Sequence, residues 1–242
     1  MKHLKYTICT LMLASAVLPS FSTYAADIDL AVKGTILLGS CTPDFENGGV
    51  IDYGTMSGLS LSSTRYTDLP EQQLDFSILC STQRKVAFKL LPSRIGSLAD
   101  SDDEGAQGFG HVKHAMPNTT PSFLQAYGTG IGLDAKGGKI GGMLVNIQDR
   151  VTIVDGTTSY LFLEGGTGNY AVKNSTTTLN SNATSTNHYT WGDYDSGGYV
   201  PIAFKTAEST LDIYTFLNKR DELDLTQEVN FDGSLVFELV YL

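Results

Sequence analysis

The chain has 242 residues, with 16 basic and 26 acidic side chains and a formal net charge of −10 at pH 7. A chain this acidic has little attraction for nucleic acid or for anionic membrane surfaces, which excludes both as expected partners. Glycine is frequent, with 25 residues, and amphipathic helical runs are scarce. We therefore expect an all-β protein with many turns.

Residues 1–25 have the pattern of a secretory signal peptide. Lys2 and Lys5 precede an apolar run from Ile8 to Leu18, and small residues lead to Ala25. The alternative is a membrane anchor, but this run is shorter than the roughly 18 apolar residues that a membrane span needs. We expect cleavage after Ala25, leaving residues 26–242 as a single domain without a membrane span.

The mature chain begins with an alternating segment. Ile28, Leu30 and Val32 occupy every second position, which predicts a strand with one buried face. The apolar run continues past Gly34 to Leu38. Turn residues follow Cys41, and the β-prone run from Val50 to Gly54 predicts a short strand.

Cys41 and Cys80 are the cysteines that remain once the signal is removed. In an exported protein an even pair is most simply a disulfide, and the alternative is two buried free thiols. A bond between them would close a loop of 39 residues, for which the chain-entropy model gives about 4 kcal/mol. Zinc is not supported, since neither cysteine has a second ligand at the usual spacing.

The later segments continue the pattern of short strands. Leu74 to Cys80 alternates and predicts a strand, with Val86 to Leu91 as its hairpin partner. Residues 211–217 fit a strand or a short helix. A long middle rich in Gly, Ser and Thr covers residues 165–198. The spacing of strands and turns predicts a β-sandwich.

The final run places alternate apolar side chains on one face of a strand. These residues are Leu235, Phe237, Leu239 and Tyr241.

Few residues form a pattern with catalytic or metal-binding chemistry. Asp100, Asp102 and Glu104 imitate the start of a calcium loop, but the twelfth position is His111 rather than glutamate, so a solvated acidic loop is the default and calcium stays open. His111 and His114 alone do not make a zinc site. We predict no enzyme, no cofactor and no metal, because no nucleophile motif, phosphate loop or acid–base pair is evident.

One aromatic patch has the chemistry of a sugar site. Tyr189, Trp191 and Asp193 combine ring faces, which stack on sugar C–H groups, with a carboxylate that accepts from hydroxyls. The alternative is that these rings pack back onto the sheet, as most aromatic side chains do.

Four segments of the chain resemble chaperone–usher pilins. Lys33-Gly34 followed by the run to Cys41 resembles the first pilin strand, and Val50 to Gly54 resembles the segment after its cysteine. Leu74 to Cys80 resembles the strand with the partner cysteine, and the end with Tyr241 is similar to the pilin C-terminal motif.

A second resemblance is to an uncharacterised family of fimbrial-like periplasmic proteins of Gram-negative bacteria. It rests on Cys41-Thr42-Pro43, the run from Gly48 to Gly54, Lys139-Ile140-Gly141 and the terminal Val240-Tyr241-Leu242.

These resemblances imply an immunoglobulin-like or pilin-like β-sandwich in the periplasm or on a fimbrium at the cell surface. They also imply a periplasmic chaperone, an usher and other pilus subunits as partners, with assembly by strand donation. Ile28, Leu30 and Val32 would then be donor-strand contacts. The chaperone would grip the edge that carries Leu235, Phe237, Leu239 and Tyr241.

The sequence leaves two functions open. The first is an exported fimbrial-like structural protein, such as a minor pilin subunit. The second is a self-complete periplasmic or surface binding module, with glycans as the candidate ligand. Whether the protein polymerises is also open, because the segment that precedes Gly34 in the mature chain is short for a donor strand.

Overall fold

The computed structural model of the protein describes residues 39–114, 126–147, 152–164, 170–172, 177–179, 187–195 and 198–242. These residues belong to one compact unit, Leu38–Leu242. The predicted signal peptide and the predicted donor residues Ile28, Leu30 and Val32 lie outside the described residues. So does much of the segment rich in Gly, Ser and Thr.

The described part of the chain is almost entirely β. Its strands, in chain order, are β1 (Cys41–Phe45), β2 (Thr67–Asp68), β3 (Gln72–Arg84), β4 (Val86–Pro92), β5 (Gly110–Val112), β6 (Ala126–Gly130), β7 (Gly141–Ile147), β8 (Ile153–Val154), β9 (Thr157–Thr158), β10 (Tyr160–Glu164), β11 (Tyr170–Val172), β12 (Thr177–Thr178), β13 (His188–Asp195), β14 (Gly198–Pro201), β15 (Phe204–Leu217) and β16 (Leu235–Tyr241). Short 3₁₀ turns cover Glu46–Gly49, Gly58–Ser60 and Arg220–Glu222.

The strands form two antiparallel sheets. The larger has the order β1-β3-β15-β7-β6-β5, with β2, β8, β9 and β12 attached at its margins. The smaller has the order β11-β10-β13-β4-β16, with β14 on β13. The prediction of an all-β sandwich is confirmed.

The main core lies between the two sheets and is rich in aromatic rings. Phe76 of the larger sheet is packed edge-on against Phe88 of the smaller one, with ring centroids 5.5 Å apart. Trp191 and Phe204 meet in the same way at 5.4 Å. All four side chains are at most 1 % exposed, so burial of this area is the main stabilising contribution to the fold.

Strand β15 is the centre of the larger sheet. It pairs with β3 on one side and β7 on the other, and every residue from Leu211 to Leu217 is buried. One face of this part packs on the main core. The other face is covered by smaller apolar clusters that include Leu98 and Ile140. The segment that fitted either a strand or a helix is therefore a strand buried on both faces.

The disulfide prediction is confirmed. Cys41 and Cys80 are bonded, and they stand directly opposite each other in the β1–β3 ladder. The bond fixes the edge strand β1 to the sheet at the point where the described chain begins.

Two strand predictions need correction. Strands β3 and β4 do not form a hairpin, because the chain passes at Lys85 from the larger sheet to the smaller one. The alternation runs unbroken through that crossing and contains no two-residue turn. The run from Val50 to Gly54 has no strand assignment, since no described strand pairs with it.

Candidate functional site

An apolar groove opens on the larger sheet between two stretches of chain that do not pair with each other. One wall is the segment 223–234 together with β16, and the other is the segment 45–58. The floor is formed by inward-facing side chains of β3, β7 and β15, among them Leu74, Val145 and Ile213.

Strand β16 is the edge of the smaller sheet. Among the described strands it pairs only with β4, so the backbone N–H and C=O groups along its other side have no ladder partner. Leu235, Phe237 and Leu239 are half-buried and pack on the core, while Val236 and Glu238 face outward. The alternation predicted for this strand is therefore present over its first five residues.

Phe237 belongs to an aromatic cluster at the base of the groove. Its ring lies 4.9 Å from Phe45, 5.2 Å from Phe76 and 5.8 Å from Phe88, measured between centroids. The cluster connects both sheets with the edge strand β1. It gives the groove a rigid apolar base rather than a loose one.

Tyr241 differs from the other three predicted edge residues. It is 52 % exposed, and its hydroxyl accepts a hydrogen bond of 2.8 Å from the backbone N–H of Cys41. It therefore joins the end of β16 to the start of β1.

Residues 50–57 of the second wall have no strand assignment. Val50 has extended dihedral angles (φ −98°, ψ 126°), and Gly54 has φ +65°, where a side chain would be strained. The segment is held by side chains. The Tyr53 hydroxyl donates to Thr215 Oγ1 of β15 at 3.1 Å, and burial raises the pKa of Tyr53.

The groove consists of two cavities in line. The first, about 360 Å³, lies beside the start of β16 and the aromatic base. The second, about 520 Å³, lies between residues 51–61 and 223–231. Ile51, Tyr53 and Phe231 line both, and the Tyr53 and Phe231 rings face each other from opposite walls with centroids 6.3 Å apart. The two cavities therefore adjoin at this pair of rings.

The predicted glycan site is not available in this fold. Tyr189 and Trp191 are at most 1 % exposed, and both rings pack on Phe88 in the core, so neither has a free face for a sugar. Asp193 is exposed, but the two rings it was grouped with offer no surface beside it. The alternative interpretation of this patch, rings packed back onto the sheet, is correct.

The carboxylates of the acidic loop accept hydrogen bonds from other groups of the protein. Asp103 binds the backbone N–H and the ring of His111, and this ring hydrogen bond lowers the pKa of Asp103 to about 2. Glu104 accepts from the backbone N–H groups of Gly96 and Leu98, at 2.6 and 3.1 Å. These contacts explain the loop as a structural element.

His114 is tied in the same way. Its Nδ1 lies 2.7 Å from Asp100 and its Nε2 lies 3.1 Å from Asp68, so both ring nitrogens face carboxylates. Among the described residues no group of three or more His, Cys, Asp or Glu side chains is arranged to hold a metal ion. The described part also has no helix long and apolar enough to cross a membrane.

Sequence reasoning found β16 but missed one aromatic residue on each wall, Phe231 on the side of β16 and Phe45 on the other side. Phe45 and Phe231 lie in stretches dominated by turn residues, so neither shows a strand period. Their aromatic character within otherwise polar segments was the available signal. Sequence reasoning did single out the run from Val50 to Gly54.

The comparisons with known proteins agree with an uncharacterised family. The family described as "Protein of unknown function (DUF1120)" matches residues 30–143. The chain is also similar to the uncharacterized protein YhcF of Escherichia coli strain K12, with 31% identity over 98 residues. That match covers 40% of this chain and 41% of the relative, so the chain spans less than half of the relative's length. No solved structure is a significant match.

Proposed function

We propose that the protein is an exported fimbrial-like structural subunit whose sandwich is completed by a β-strand from another polypeptide. The observation that carries this proposal is the apolar groove beside β16. One wall is a strand edge without a partner among the described strands, and the other is a segment without a strand assignment. A strand laid between them would pair its backbone and bury its alternate side chains.

The groove has the size and chemistry for such a strand. The 7 residues of β16 offer an edge of roughly 23 Å at about 3.3 Å per residue. The base of the groove is apolar, with Leu74, Val145 and Ile213 among its lining residues. An edge of this kind is prone to pair with other chains, and an extended apolar segment is its natural partner.

The disulfide supports export. Disulfides persist in oxidising compartments such as the periplasm, and Cys41–Cys80 is formed in this fold. With the predicted signal peptide, it supports a location in the periplasm or on the cell surface. A periplasmic chaperone, an usher and other subunits are the proposed partners.

Fusing an extra strand to the end of the same chain tests whether the groove beside β16 accepts a strand. A two-residue Asn-Gly turn and a seven-residue strand alternating Val with Thr are fused after Leu242, so that the added strand returns beside β16. The matched control has Ser at every Val position. We expect the Val strand to raise the free energy of unfolding by roughly 2 kcal/mol or more, because it buries apolar side chains in the groove.

The measurement is the urea midpoint of the two fusion proteins, together with amide hydrogen exchange along β16. Equal midpoints and unchanged exchange would show that the groove does not accept a strand. A mature protein that stays a stable monomer, with the same melting curve with and without a chaperone, would also end the proposal.

A further inference from the structure

Glycine directly follows an asparagine or an aspartate at three places in the chain: Asn47-Gly48, Asp155-Gly156 and Asp232-Gly233. In such pairs the backbone nitrogen of the glycine can attack the side-chain carbonyl carbon of the preceding residue and close a five-membered imide. Glycine permits this approach because it has no Cβ to obstruct it. The first residue of each pair is exposed, so exposure alone does not distinguish the three.

The Asp155 carboxylate is fixed on the protein. Its Oδ1 accepts from the backbone N–H groups of Lys205 and Thr206, at 2.9 and 2.8 Å. The hydrogen bond from the Thr206 N–H lowers the pKa of Asp155, so this carboxyl group stays ionised. An ionised carboxylate is a poor electrophile, since it must be protonated before it can lose water to an attacking nitrogen.

Asp232 is engaged by a positive charge. Its carboxylate forms an ion pair with Arg94, and its backbone N–H donates to the carbonyl of Ile131 at 3.1 Å. An aspartate carboxylate is ionised at neutral pH, and the guanidinium favours that charged form. Asp232-Gly233 is therefore protected by the same chemistry as the pair at Asp155.

Asn47 has neither of these constraints. Its side chain is an uncharged amide, which loses ammonia rather than water when a nitrogen attacks it. Among the described residues this side chain forms no hydrogen bond or ion pair. The space around Gly48 is open, since a Cβ at that position would contact nothing within 4 Å. The amide and the attacking nitrogen are therefore free to approach each other.

The backbone of this pair is that of a tight turn. Asn47 has φ +50° and ψ 27°, and Gly48 has φ +67° and ψ 19°. Both lie in the left-handed region, which glycine adopts freely and asparagine tolerates better than most residues. These angles are close to those of a type I′ turn, for which Asn-Gly is a preferred sequence. The pair that suits the turn is also the pair that is chemically reactive.

We infer that Asn47 deamidates spontaneously in the folded protein, whereas Asp155 and Asp232 do not react. The Gly48 nitrogen bonds to the side-chain carbonyl carbon of Asn47. The bond from that carbon to the amide nitrogen breaks, and ammonia leaves with the proton from Gly48. Water then adds to either carbonyl of the imide and opens the ring, which gives aspartate or isoaspartate at this position.

The products alter one wall of the groove. Gly48 and Gly49 line the first cavity, and a Cβ at Gly49 would lie 3.4 Å from the Cβ of Phe45. Either product adds one negative charge next to Glu46, and isoaspartate also adds a methylene group to the main chain between Phe45 and residues 50–57. The reaction does not depend on what occupies the groove, so its absence would leave the proposed function untouched.

The test is incubation of the purified folded protein at mildly alkaline pH, followed by peptide mass spectrometry. We expect the peptide that carries Asn47 to acquire the mass of an acid in place of an amide. Methylation by an isoaspartyl methyltransferase should label that peptide and leave the peptides with Asp155 and Asp232 unlabelled. The Asn47→Gln variant is the matched control, because it keeps an uncharged amide at an exposed position but would have to close a larger ring, so its peptide should stay unlabelled.

The same incubation in urea gives the reference for an unconstrained chain. All three pairs lose their tertiary contacts there, so label should also appear at Asp155 and Asp232. The rate at Asn47 in the folded protein should be within about ten-fold of its rate in urea, because an exposed turn opens locally at little cost. A folded-state rate more than about ten-fold lower, or label at Asp155 or Asp232 before Asn47 in the folded protein, would overturn the inference.

Discussion

Phe237→Ala tests whether the base of the groove is part of the core that holds the free protein together. The ring is half-buried and contacts three other phenylalanine rings within 6 Å. Phe→Ala changes at fully buried sites cost about 3–5 kcal/mol of stability. Because Phe237 is partly exposed, we expect its truncation to cost about 3 kcal/mol. That is a large part of the roughly 5–15 kcal/mol that stabilises a typical domain.

Val236→Ala is the matched control. The two residues are neighbours on β16, but Val236 faces outward and is 52 % exposed. We expect its truncation to change the free energy of unfolding by no more than about 0.5 kcal/mol.

The assay is urea unfolding with the disulfide intact, followed by far-UV circular dichroism. With an unchanged slope, Phe237→Ala should lower the midpoint by about 1 M or more. A loss smaller than about 1 kcal/mol, or equal losses for Phe237→Ala and Val236→Ala, would refute the description of β16 as a one-faced strand on an aromatic base.

Three further predictions concern other parts of the fold. Changing Cys41 and Cys80 together to Ser should lower the free energy of unfolding by about 4 kcal/mol, measured by urea titration against the oxidised parent; an unchanged midpoint would contradict it. The pKa of Asp103 is lowered to about 2 by its hydrogen bond with His111, so its contribution is present above the ordinary pKa and is lost as the pH falls from about 4 to about 2. Asp103→Asn should flatten the stability profile in that window, and a profile identical to the parent's would count against this pair. Trp191 is the only tryptophan and is fully buried, so its emission should be blue-shifted and resistant to iodide; strong quenching would show that the ring is accessible.

Sequence reasoning succeeded where the residues of a short segment show the pattern by themselves. The alternation from Leu74 to Cys80 and the disulfide both follow from local pattern and compartment, and the fold contains both. It failed at Lys85, because a change of sheet leaves no mark when the alternation continues on both sides.

The run from Val50 to Gly54 is a different kind of case. Its composition predicts a strand, and its backbone begins extended, yet no described strand lies beside it. Local propensity agrees with the extended backbone at Val50 but could not supply a partner. In the proposed assembly this segment gains that partner, which hydrogen exchange at residues 50–54 would detect as protection.

The site was predictable only in part for a related reason. Leu235, Phe237 and Leu239 lie in a regular strand, so their period identified one wall. Phe231 and Phe45 act through contacts with residues more than 100 positions away or across the sandwich, which no window of sequence reports.

The position of β15 in the chain has a consequence for how the protein folds in the cell. This strand joins β3 to β7, yet it comes near the end of the chain, in residues 204–217. If the protein is exported as proposed, the earlier strands would emerge before the element that organises them, and the larger sheet could not assemble until most of the polypeptide had crossed the membrane. The cysteine pair, only 39 residues apart, can be oxidised long before that moment. The oxidised loop would then be the first part of the molecule to be fixed. In the interval that follows, the unpaired strands would be the part that a holding chaperone protects.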